Sequence, residues 1–231
     1  MATFSVLVLT AAPMGQGAEA GGAFVKVDSR EVLLRSVELF LNRDEVKQVQ
    51  VCFMTEGLEE AKRKYSPHLS LFGVKVYAGG PRWIDQMAAA KERIDAEATH
   101  VIVHDAARPA VPYSDIDAVM AAAEKHEAVV LAAPSRTPLV EVDEGGSALA
   151  VHSVSRFMQL LTPHCYSRKK FEEVASTKQE VHASQLQIVK GSGLNVRVGG
   201  GGDVSLVKAM LNMLPKRKVS GPNNPFEEAQ W

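Results

Sequence analysis

The chain has 231 residues, a formal net charge of −1 at pH 7, a hydrophobic fraction of 46% and a charged fraction of 23%. This length and composition are typical of one globular α/β domain. The near-neutral charge argues against a nucleic-acid-binding protein, and no run reaches the roughly 18 apolar residues of a membrane span.

The first half of the sequence alternates between strand-like and helix-like segments. Short runs rich in β-branched residues predict strands at residues 4–10, 46–53, 74–78, 99–104 and 128–133. Apolar residues at helical spacing predict helices around residues 32–41, 58–65, 83–97 and 114–125. This alternation predicts βαβ units and a mostly parallel sheet with helices on both faces.

The pattern changes after residue 133. Residues 138–153 alternate about a Glu144-Gly145-Gly146-Ser147 turn, which predicts a β-hairpin arm at about 136–155. An isolated hairpin is marginal in water, so this arm should lie against the parent domain or a second subunit. The remaining predicted elements are helices at 168–176, 180–190 and 203–214, a strand at 195–198, and a loose tail at about 215–231. Residues 1–231 are expected to form one domain.

The two cysteines, Cys52 and Cys165, are far apart and match neither a disulfide framework nor a metal motif. They are expected to be free thiols in a reducing compartment. The apolar start at residues 4–10 has no basic leader and is predicted to be a strand rather than a signal peptide. We therefore expect a cytoplasmic protein.

The loop after the first predicted strand, at residues 11–22, is rich in glycine and alanine. Such a loop lets backbone N–H groups approach phosphates, and Lys26 follows where an ammonium would stabilise a triphosphate. A flexible surface loop explains the composition equally well. The loop fits neither the P-loop pattern nor G-x-G-x-x-G, which disfavours a nicotinamide-dependent dehydrogenase.

Two further loops follow predicted strands. The turn Gly79-Gly80-Pro81-Arg82 alone indicates only a helix start. In the segment HDAARP, Asp105 stands at the end of a strand, a common position for a Mg²⁺ ligand. The alternative is that Asp105 caps the following turn and pairs with Arg108. Because the carboxyl ends of parallel strands share one edge, all three loops should converge on one pocket.

Several motifs occur in order over roughly residues 5–190: the Ala11-Ala12 loop, a downstream lysine, the Gly79-Gly80 turn, HDAARP, LAAP on the next strand, a polar hairpin and Thr162-Pro163. Together they resemble the 2-C-methyl-D-erythritol 4-phosphate cytidylyltransferase family. The resemblance implies a Rossmann-like nucleotidyltransferase fold and a homodimer joined by the hairpin arm. It also implies transfer of a cytidylyl group from CTP to that sugar-alcohol phosphate, with Mg²⁺ as cofactor and release of pyrophosphate.

The resemblance also implies roles for particular residues. Lys26 would stabilise the transition state, and Asp105 and Arg108 would lie between nucleotide, metal and acceptor, with Asp105 as the metal ligand. The nucleotide-binding residues would be Ala11, Ala12, Gly79, Gly80 and Arg82. The substrate-binding residues would be Arg156, Thr162 and Lys208.

The chain departs from the family pattern at several of these positions. The first loop lacks the family's arginine, and Pro-Lys-Gln reads Val25-Lys26-Val27. Gln86 stands where a serine is expected. The late Asn-Ile-Lys-x-Thr segment reads Asp203-Val204-Ser205-Leu206-Val207, so its lysine has become Ser205, and Lys208 one turn away is the expected substitute.

These departures leave three hypotheses. The chain is a working cytidylyltransferase, or an enzyme retuned to another nucleotide or phosphorylated acceptor. The third hypothesis is a non-catalytic relative that binds a nucleotide or a partner. The catalytic hypotheses require Lys26, Asp105 and Arg108 in one pocket, whereas a binding protein requires only the fold.

Overall fold

A computed structural model describes residues 1–13 and 22–214. Most of the predicted glycine-rich loop, at residues 14–21, and the predicted tail at 215–231 lie outside the described residues. The predictions made for those two segments therefore remain predictions.

The described residues form strands and helices in an alternating order. The strands are β1 (Phe4–Leu9), β2 (Lys26–Val27), β3 (Arg30–Glu31), β4 (Val46–Met54), β5 (Lys75–Gly79), β6 (His100–Asp105), β7 (Ala128–Pro134), β8 (Leu139–Val142), β9 (Ala148–His152), β10 (Met158–Ser167) and β11 (Gln187–Lys190). The helices are α1 (Val32–Glu38), α2 (Leu58–Ser70), α3 (Trp83–Ala90), α4 (Tyr113–Ala123), α5 (Arg168–Thr177) and α6 (Val204–Met213).

Within the described residues, a seven-stranded sheet has the order β11-β7-β10-β6-β1-β4-β5. Strand β10 runs antiparallel to both of its neighbours, and the other strands run parallel to one another. The predicted α/β class with a mostly parallel sheet is therefore confirmed. The carboxyl ends of β1, β5 and β6 share one edge, as the sequence predicts.

The core lies on both faces of this sheet because successive residues of each strand point in opposite directions. In β1, Val6 and Val8 pack in one cluster with residues of α1, α2 and α4. Leu7 and Leu9 pack in a second cluster with residues of α3 and α5. Helix α6 contributes Val207 to a small third cluster. Strands covered on both faces explain the apolar runs in the sequence.

Two of the predicted elements near the carboxyl end are wrong. The segment predicted as a helix at 180–190 forms a short 3₁₀ turn, Ala183–Gln185, and then the edge strand β11. The predicted strand at 195–198 is irregular backbone, held by a hydrogen bond from Val198 N to Ala107 O (2.8 Å). Pairing of β11 with β7 overrides the local helical pattern, because strand propensity depends on the neighbouring strand.

Strand β10 is absent from the sequence-based prediction, although it lies inside the sheet, between β7 and β6. It holds buried polar residues such as Thr162 and His164 among its apolar ones, and its pairing register shifts between Leu161 and His164. Both features break the alternation by which a strand is recognised.

Both cysteines, Cys52 and Cys165, are buried free thiols, in agreement with the sequence-based expectation. In the ranges that the structure describes, every helix is too short or too polar to cross a membrane.

Gly22 packs so tightly that a side chain cannot be accommodated. A Cβ at this position would lie 1.7 Å from Val198 O, and a backbone atom cannot move aside cheaply. We expect Gly22→Ala to lower the free energy of unfolding by about 1–3 kcal/mol, the usual cost of overpacking. Chemical denaturation monitored by circular dichroism measures this change.

Gly57 provides the matched control. A Cβ there meets nothing within 4 Å, and the backbone φ of −107° is accessible to any residue. Gly57→Ala should change the free energy of unfolding by less than about 0.5 kcal/mol. Equal losses in the two variants would contradict the packing described for Gly22.

Candidate active site

Asp105 is the last residue of β6 and is buried, with 1% of its surface exposed. Its Oδ1 accepts a hydrogen bond from the backbone N–H of Ala107 (2.9 Å). Its Oδ2 accepts one from Nε of Arg197 (2.8 Å) and lies 3.6 Å from Nε of Arg108. The carboxylate therefore stands between two guanidinium groups.

Arg108 is also buried, with 4% of its surface exposed. Its Nη1 donates to the backbone oxygen of Asn195 (2.8 Å). Its Nε is buried and makes no hydrogen bond within the described residues. We refer to Asp105, Arg108 and Arg197 as the charged cluster. It joins the end of β6 to the irregular segment that precedes α6.

A buried histidine and threonine hold the end of β6 in place. Thr162 Oγ1 accepts from the backbone N–H of Asp105 (3.1 Å) and lies 3.0 Å from Nδ1 of His104. Nε2 of His104 lies 3.0 Å from the backbone oxygen of Arg108, which can only accept. His104 is therefore protonated on Nε2, and the Thr162 hydroxyl donates to Nδ1. Asn195 adds a hydrogen bond from Nδ2 to Thr162 O (2.7 Å).

The two alanines after Asp105 are pinned through their backbone. Ser36 Oγ donates to Ala106 O (2.8 Å), and Val198 N donates to Ala107 O (2.8 Å). Both alanines are fully buried, so larger side chains would displace these contacts. The HDAARP segment is thus fixed from helix α1 on one side and from the segment before α6 on the other.

Burial dominates the titration of these groups. It raises the pKa of Asp105 above its ordinary value, against the lowering effect of the nearby Arg197 and Arg108. Burial also lowers the pKa of the Arg108 guanidinium and lowers the pKa of His104 to about 3. His104 is therefore neutral at physiological pH, in agreement with its one donated and one accepted hydrogen bond.

A second part of the site lies between the ends of β1 and β5. The backbone N–H of Ala11 donates to Oε1 of the buried Gln86 (3.1 Å), which joins the loop after β1 to α3. Nε2 of Gln86 has no acceptor within the described residues. A Cβ on Gly79 would lie 2.7 Å from Cys52 Sγ, and one on Gly80 would lie 2.8 Å from Asp85 Cβ. Both glycines are therefore required by close packing.

The other predicted site residues lie at the surface. Arg82 is exposed and makes two hydrogen bonds to Asp85 (2.7 and 2.9 Å). Lys26 is exposed in β2, and Arg156 is exposed in a 3₁₀ turn after β9. Neither side chain makes a hydrogen bond or an ion pair within the described residues. Ala12 is partly exposed next to Ala11.

Lys208 lies on α6, where its Nζ pairs with Asp28 Oδ1 (2.7 Å) at the surface. The expectation that it takes the place of the family's late lysine is not supported, because Arg197 is the cation beside Asp105. The family's Asn-Ile-Lys-x-Thr motif also aligns with residues Asn195-Val196-Arg197-Val198-Gly199. In this alignment the asparagine stays first and a cation stays third. This spacing is the signal in the sequence that identifies Arg197.

The groups around Asp105 determine whether the predicted Mg²⁺ ion can bind there. Both carboxylate oxygens are already bonded, and Arg108 and Arg197 add two positive charges within 3.6 Å and 2.8 Å. The described residues contain no cluster of three or more histidine, cysteine or acidic side chains suited to a metal. Mg²⁺ prefers several free oxygen ligands, so the arrangement at Asp105 does not fit it.

The sheet order, with small residues and paired cations at its carboxyl edge, defines an α/β protein of the nucleotidyltransferase type. The family model for 2-C-methyl-D-erythritol 4-phosphate cytidylyltransferase matches residues 5–212. The chain belongs to this family, as the motifs of the sequence suggest.

Individual relatives agree with this assignment. The 2-C-methyl-D-erythritol 4-phosphate cytidylyltransferase of Rhodopirellula baltica is 26% identical over 230 residues, covering 89% of this chain and 94% of the relative. The crystal structure of 4-diphosphocytidyl-2C-methyl-D-erythritol synthase from Anaerococcus prevotii matches with a TM-score of 0.74 at 14% identity, covering 91% of this chain and 96% of that one. The crystal structure of 2-C-methyl-D-erythritol 4-phosphate cytidylyltransferase from Thermus thermophilus matches with a TM-score of 0.70 at 24% identity, covering 90% of this chain and 98% of that one.

The lowered pKa of His104 predicts a pH dependence of stability. A histidine in an unfolded chain has a pKa of about 6.5. Below that pH the unfolded chain therefore binds a proton at this residue, whereas the folded protein does not. The free energy of unfolding should therefore fall as the pH falls from 6.5 toward 3, by up to about 1.4 kcal/mol per pH unit. Buried His164, whose pKa is lowered to about 4, adds to this slope.

Replacing His104 by Gln measures how much this residue contributes to the pH dependence of the free energy of unfolding. His104→Gln should reduce the slope measured by urea denaturation between pH 6.5 and 5 by up to about 1.4 kcal/mol per pH unit. His126→Gln, at an exposed position, is the control for loss of one imidazole. An unchanged slope in His104→Gln would show that folded His104 binds a proton in this range.

Proposed function

We propose that this protein transfers a cytidylyl group from CTP to 2-C-methyl-D-erythritol 4-phosphate and releases pyrophosphate. Family membership supports the reaction class. The proposal for this chain rests on the candidate site, where cations and small residues meet at the carboxyl edge of β1, β5 and β6.

The observation that carries the proposal is a pair of buried donors without acceptors. Within the described residues, neither Gln86 Nε2 beside the glycine turn nor Arg108 Nε in the charged cluster makes a hydrogen bond. A buried unpaired donor is unfavourable, and a ligand that supplies an acceptor removes the cost. A nucleotide carries acceptors at both ends, since its base has carbonyl and ring-nitrogen acceptors and its phosphates have anionic oxygens.

The charged cluster suits phosphoryl chemistry. Guanidinium groups bind phosphate oxygens through planar, paired donors. Arg108 and Arg197 would stabilise the charge that develops as the acceptor phosphate attacks the α-phosphorus in line, while Asp105 orients both guanidinium groups. Phosphate oxygens would replace the protein acceptors of Arg108 and Arg197, and the charged cluster would open as a result. Lys26 would approach the nucleotide from the exposed edge of β2.

The nucleotide would lie along the loop after β1 and the turn after β5. Ala11 and Ala12 carry little bulk, and Gln86 ties their loop to α3 at a distance of 3.1 Å from the Ala11 nitrogen. Gly79 and Gly80 would form the opposite wall, and Arg82 would lie at its edge. Thr162 would act through His104 by fixing the end of β6, and Arg156 would reach the acceptor from the hairpin arm.

Binding without turnover is the second candidate function. It is favoured by the state of the cations: Nη1 of Arg108 and Nε of Arg197 already have protein acceptors, and the Lys26 side chain makes no hydrogen bond or ion pair with the charged cluster. Loss of one cation aimed at developing charge typically costs two to three orders of magnitude in rate. A protein with this arrangement would retain affinity for a nucleotide better than it retains catalysis.

Because the donor set at Asp105 does not fit Mg²⁺, we assign the charge stabilisation to the arginines of this chain. Mg²⁺ bound to the triphosphate of CTP remains compatible with the proposal.

We also propose a cytoplasmic location. The buried free thiols of Cys52 and Cys165 support it, because free thiols are typical of a reducing compartment.

The contrast between Arg197 and Lys208 tests the proposed site. Arg197→Met should lower the rate of pyrophosphate release from CTP in the presence of the sugar phosphate by at least about 100-fold, since it removes a cation from the reacting phosphates. Lys208→Met removes only a surface ion pair and should stay within about twofold, since such pairs contribute little. Lys26→Ala, assayed in parallel, tests the remaining predicted cation.

The same assay with CTP, UTP, ATP and GTP separates the hypotheses. Release from CTP alone supports the proposed reaction, and preference for another nucleotide indicates a retuned enzyme. No release from any nucleotide, together with CTP binding by calorimetry, supports binding without turnover. A large effect of Lys208→Met with none for Arg197→Met would overturn the placement of the site.

We further propose that the hairpin of β8 and β9 joins two copies of the chain. The hairpin forms its own two-stranded sheet, and its apolar side chains are between 43% and 72% exposed: Leu139, Val140, Val142, Leu149 and Val151. Apolar patches of this kind are typical of interaction surfaces. A second copy that covers the hairpin would give a two-fold dimer.

Charges placed on the hairpin should prevent this dimer. Val140 and Val151 are direct partners across the two strands, so Val140→Asp with Val151→Asp places two carboxylates together. We expect twice the chain mass for the parent by light scattering and the monomer mass for this variant. Leu71→Asp, at an exposed position after α2, is the control and should remain dimeric. A monomeric parent at high concentration would contradict the proposal.

A further inference from the structure

Arg136 lies two residues beyond the end of β7, at the carboxyl edge of the sheet that also carries the candidate active site. Its side chain is exposed and makes no hydrogen bond or ion pair within residues 1–13 and 22–214, which the structure describes. The N–H donors of its guanidinium are therefore open to a ligand that arrives from solvent. An exposed arginine without an acidic partner is suited to bind an anion.

The guanidinium of Arg136 packs against Gly193, in the loop after β11. A Cβ at Gly193 would lie 2.6 Å from Nη2 and 3.0 Å from Cζ of Arg136. The loop is itself held in place, because Ser192 N donates to Asp115 Oδ2 (2.7 Å) and Asn195 N donates to Ser192 O (3.2 Å). The absence of a side chain at Gly193 therefore leaves the space in which the guanidinium lies.

The same loop leads from Arg136 to the charged cluster. Two residues after Gly193, the backbone oxygen of Asn195 accepts a hydrogen bond from Nη1 of Arg108 (2.8 Å). Arg197 follows two residues later. Four residues of chain span at most about 14 Å, so three guanidinium groups are arranged along one short segment. Arg136 is the exposed member of this series, since the side chains of Arg108 and Arg197 are 5% and 12% exposed.

Arg156 is a second exposed cation near Arg136. Ser135 N donates to Phe157 O (3.2 Å) beside the paired strands β7 and β10. Arg136 and Arg156 each lie one residue beyond this hydrogen bond, so both stand where the hairpin arm joins the sheet. Lys208, the other cation expected to bind the acceptor, is held in a surface ion pair instead. Arg136 and Arg156 are therefore the cations available at this place.

We propose that Arg136, together with Arg156, binds the phosphate of the acceptor. This rests on the proposed function and adds a substrate-binding residue to that site. A phosphate monoester carries about 1.5 to 2 negative charges at neutral pH, and the planar donors of a guanidinium match its oxygens. Gly193 is a positioning residue, because it gives the Arg136 guanidinium room on the loop. Arg108 and Arg197 then approach the same phosphate from the buried side.

Calorimetric titration of 2-C-methyl-D-erythritol 4-phosphate into the full chain, with CMP in excess, tests the assignment. CMP has no pyrophosphate leaving group, so binding is measured without turnover. We expect saturable binding by the parent and a dissociation constant at least about tenfold higher in Arg136→Ala, the effect of one hydrogen bond to a charged group. Arg63→Ala removes an exposed arginine of α2 and should bind the acceptor as the parent does.

Gly193→Ala tests the positioning role. The backbone φ of Gly193 lies outside the left-handed region, and the new Cβ displaces only the end of a flexible side chain. The melting temperature should therefore change by less than about 2 °C, while the dissociation constant of the acceptor rises toward that of Arg136→Ala. In the Arg136→Ala background the same substitution should have no further effect, because both changes remove one interaction.

Gly57→Ala is the glycine control, since a Cβ there meets nothing within 4 Å. It should leave the dissociation constant of the acceptor unchanged. Equal acceptor affinity in the parent and in Gly193→Ala would overturn the role of Gly193.

Three results would each overturn the assignment of Arg136. The first is no saturable binding of the acceptor to the folded parent. The second is equal acceptor affinity in the parent and in folded Arg136→Ala. The third is an equally large loss of affinity for CTP, measured without the acceptor, which would assign Arg136 to the phosphates of the nucleotide.

The release of pyrophosphate distinguishes this proposal from the proposed function. A parent that binds the acceptor through Arg136 but releases no pyrophosphate would contradict the proposed function alone. Release by Arg136→Ala with the KM for the acceptor unchanged would contradict the assignment of Arg136 alone.

Discussion

Asp105 places a carboxylate in the protein interior, where an ionised group is stable only beside opposite charge and hydrogen-bond donors. The chain supplies these from two directions: Arg108 follows three residues later, and Arg197 arrives from the segment before α6. Removal of one partner from such a buried group costs about 3–5 kcal/mol. The charged cluster therefore fixes where the segment before α6 returns to the sheet.

The antiparallel strand β10 completes this arrangement. By inserting between β6 and β7 it places Thr162 beside His104 and the backbone of Asp105. The neutral imidazole then reaches the carbonyl of Arg108 on the far side of the two alanines. These contacts hold the segment after β6 in place, with the guanidinium groups of Arg108 and Arg197 directed at the buried Asp105 carboxylate. In the proposed reaction, phosphate oxygens take the place of the internal acceptors, so binding and opening of the charged cluster are one event.

The sequence predicted well what depends on local pattern. Strands β1, β6 and β7 appear as apolar runs, β4 appears as alternation of polar and apolar residues, and the hairpin appears as alternation about a glycine turn. Of the two roles considered for Asp105, the structure shows the contacts of one, a cap on the following turn with an ion pair to Arg108, whereas its surroundings do not fit the role of a Mg²⁺ ligand.

What the sequence could not predict depends on distant partners. Lys26 stands near the expected motif, yet the short β2–β3 pair leaves it exposed. Arg197 lies in a segment without a regular element, and its contact with Asp105 spans 92 residues of sequence, which no local pattern predicts. Strand β10 was missed because buried polar residues interrupt its apolar pattern, and β11 because pairing with β7 decides its conformation.

The central claim is that the charged cluster exchanges its internal contacts for those of a nucleotide phosphate. A crystal structure of the protein with bound CTP measures this most directly. The account predicts that Arg108 or Arg197 contacts phosphate oxygens and that the 2.8 Å contact between Arg197 Nε and Asp105 Oδ2 is broken or lengthened. CTP bound elsewhere, with all contacts of the charged cluster intact, would contradict it.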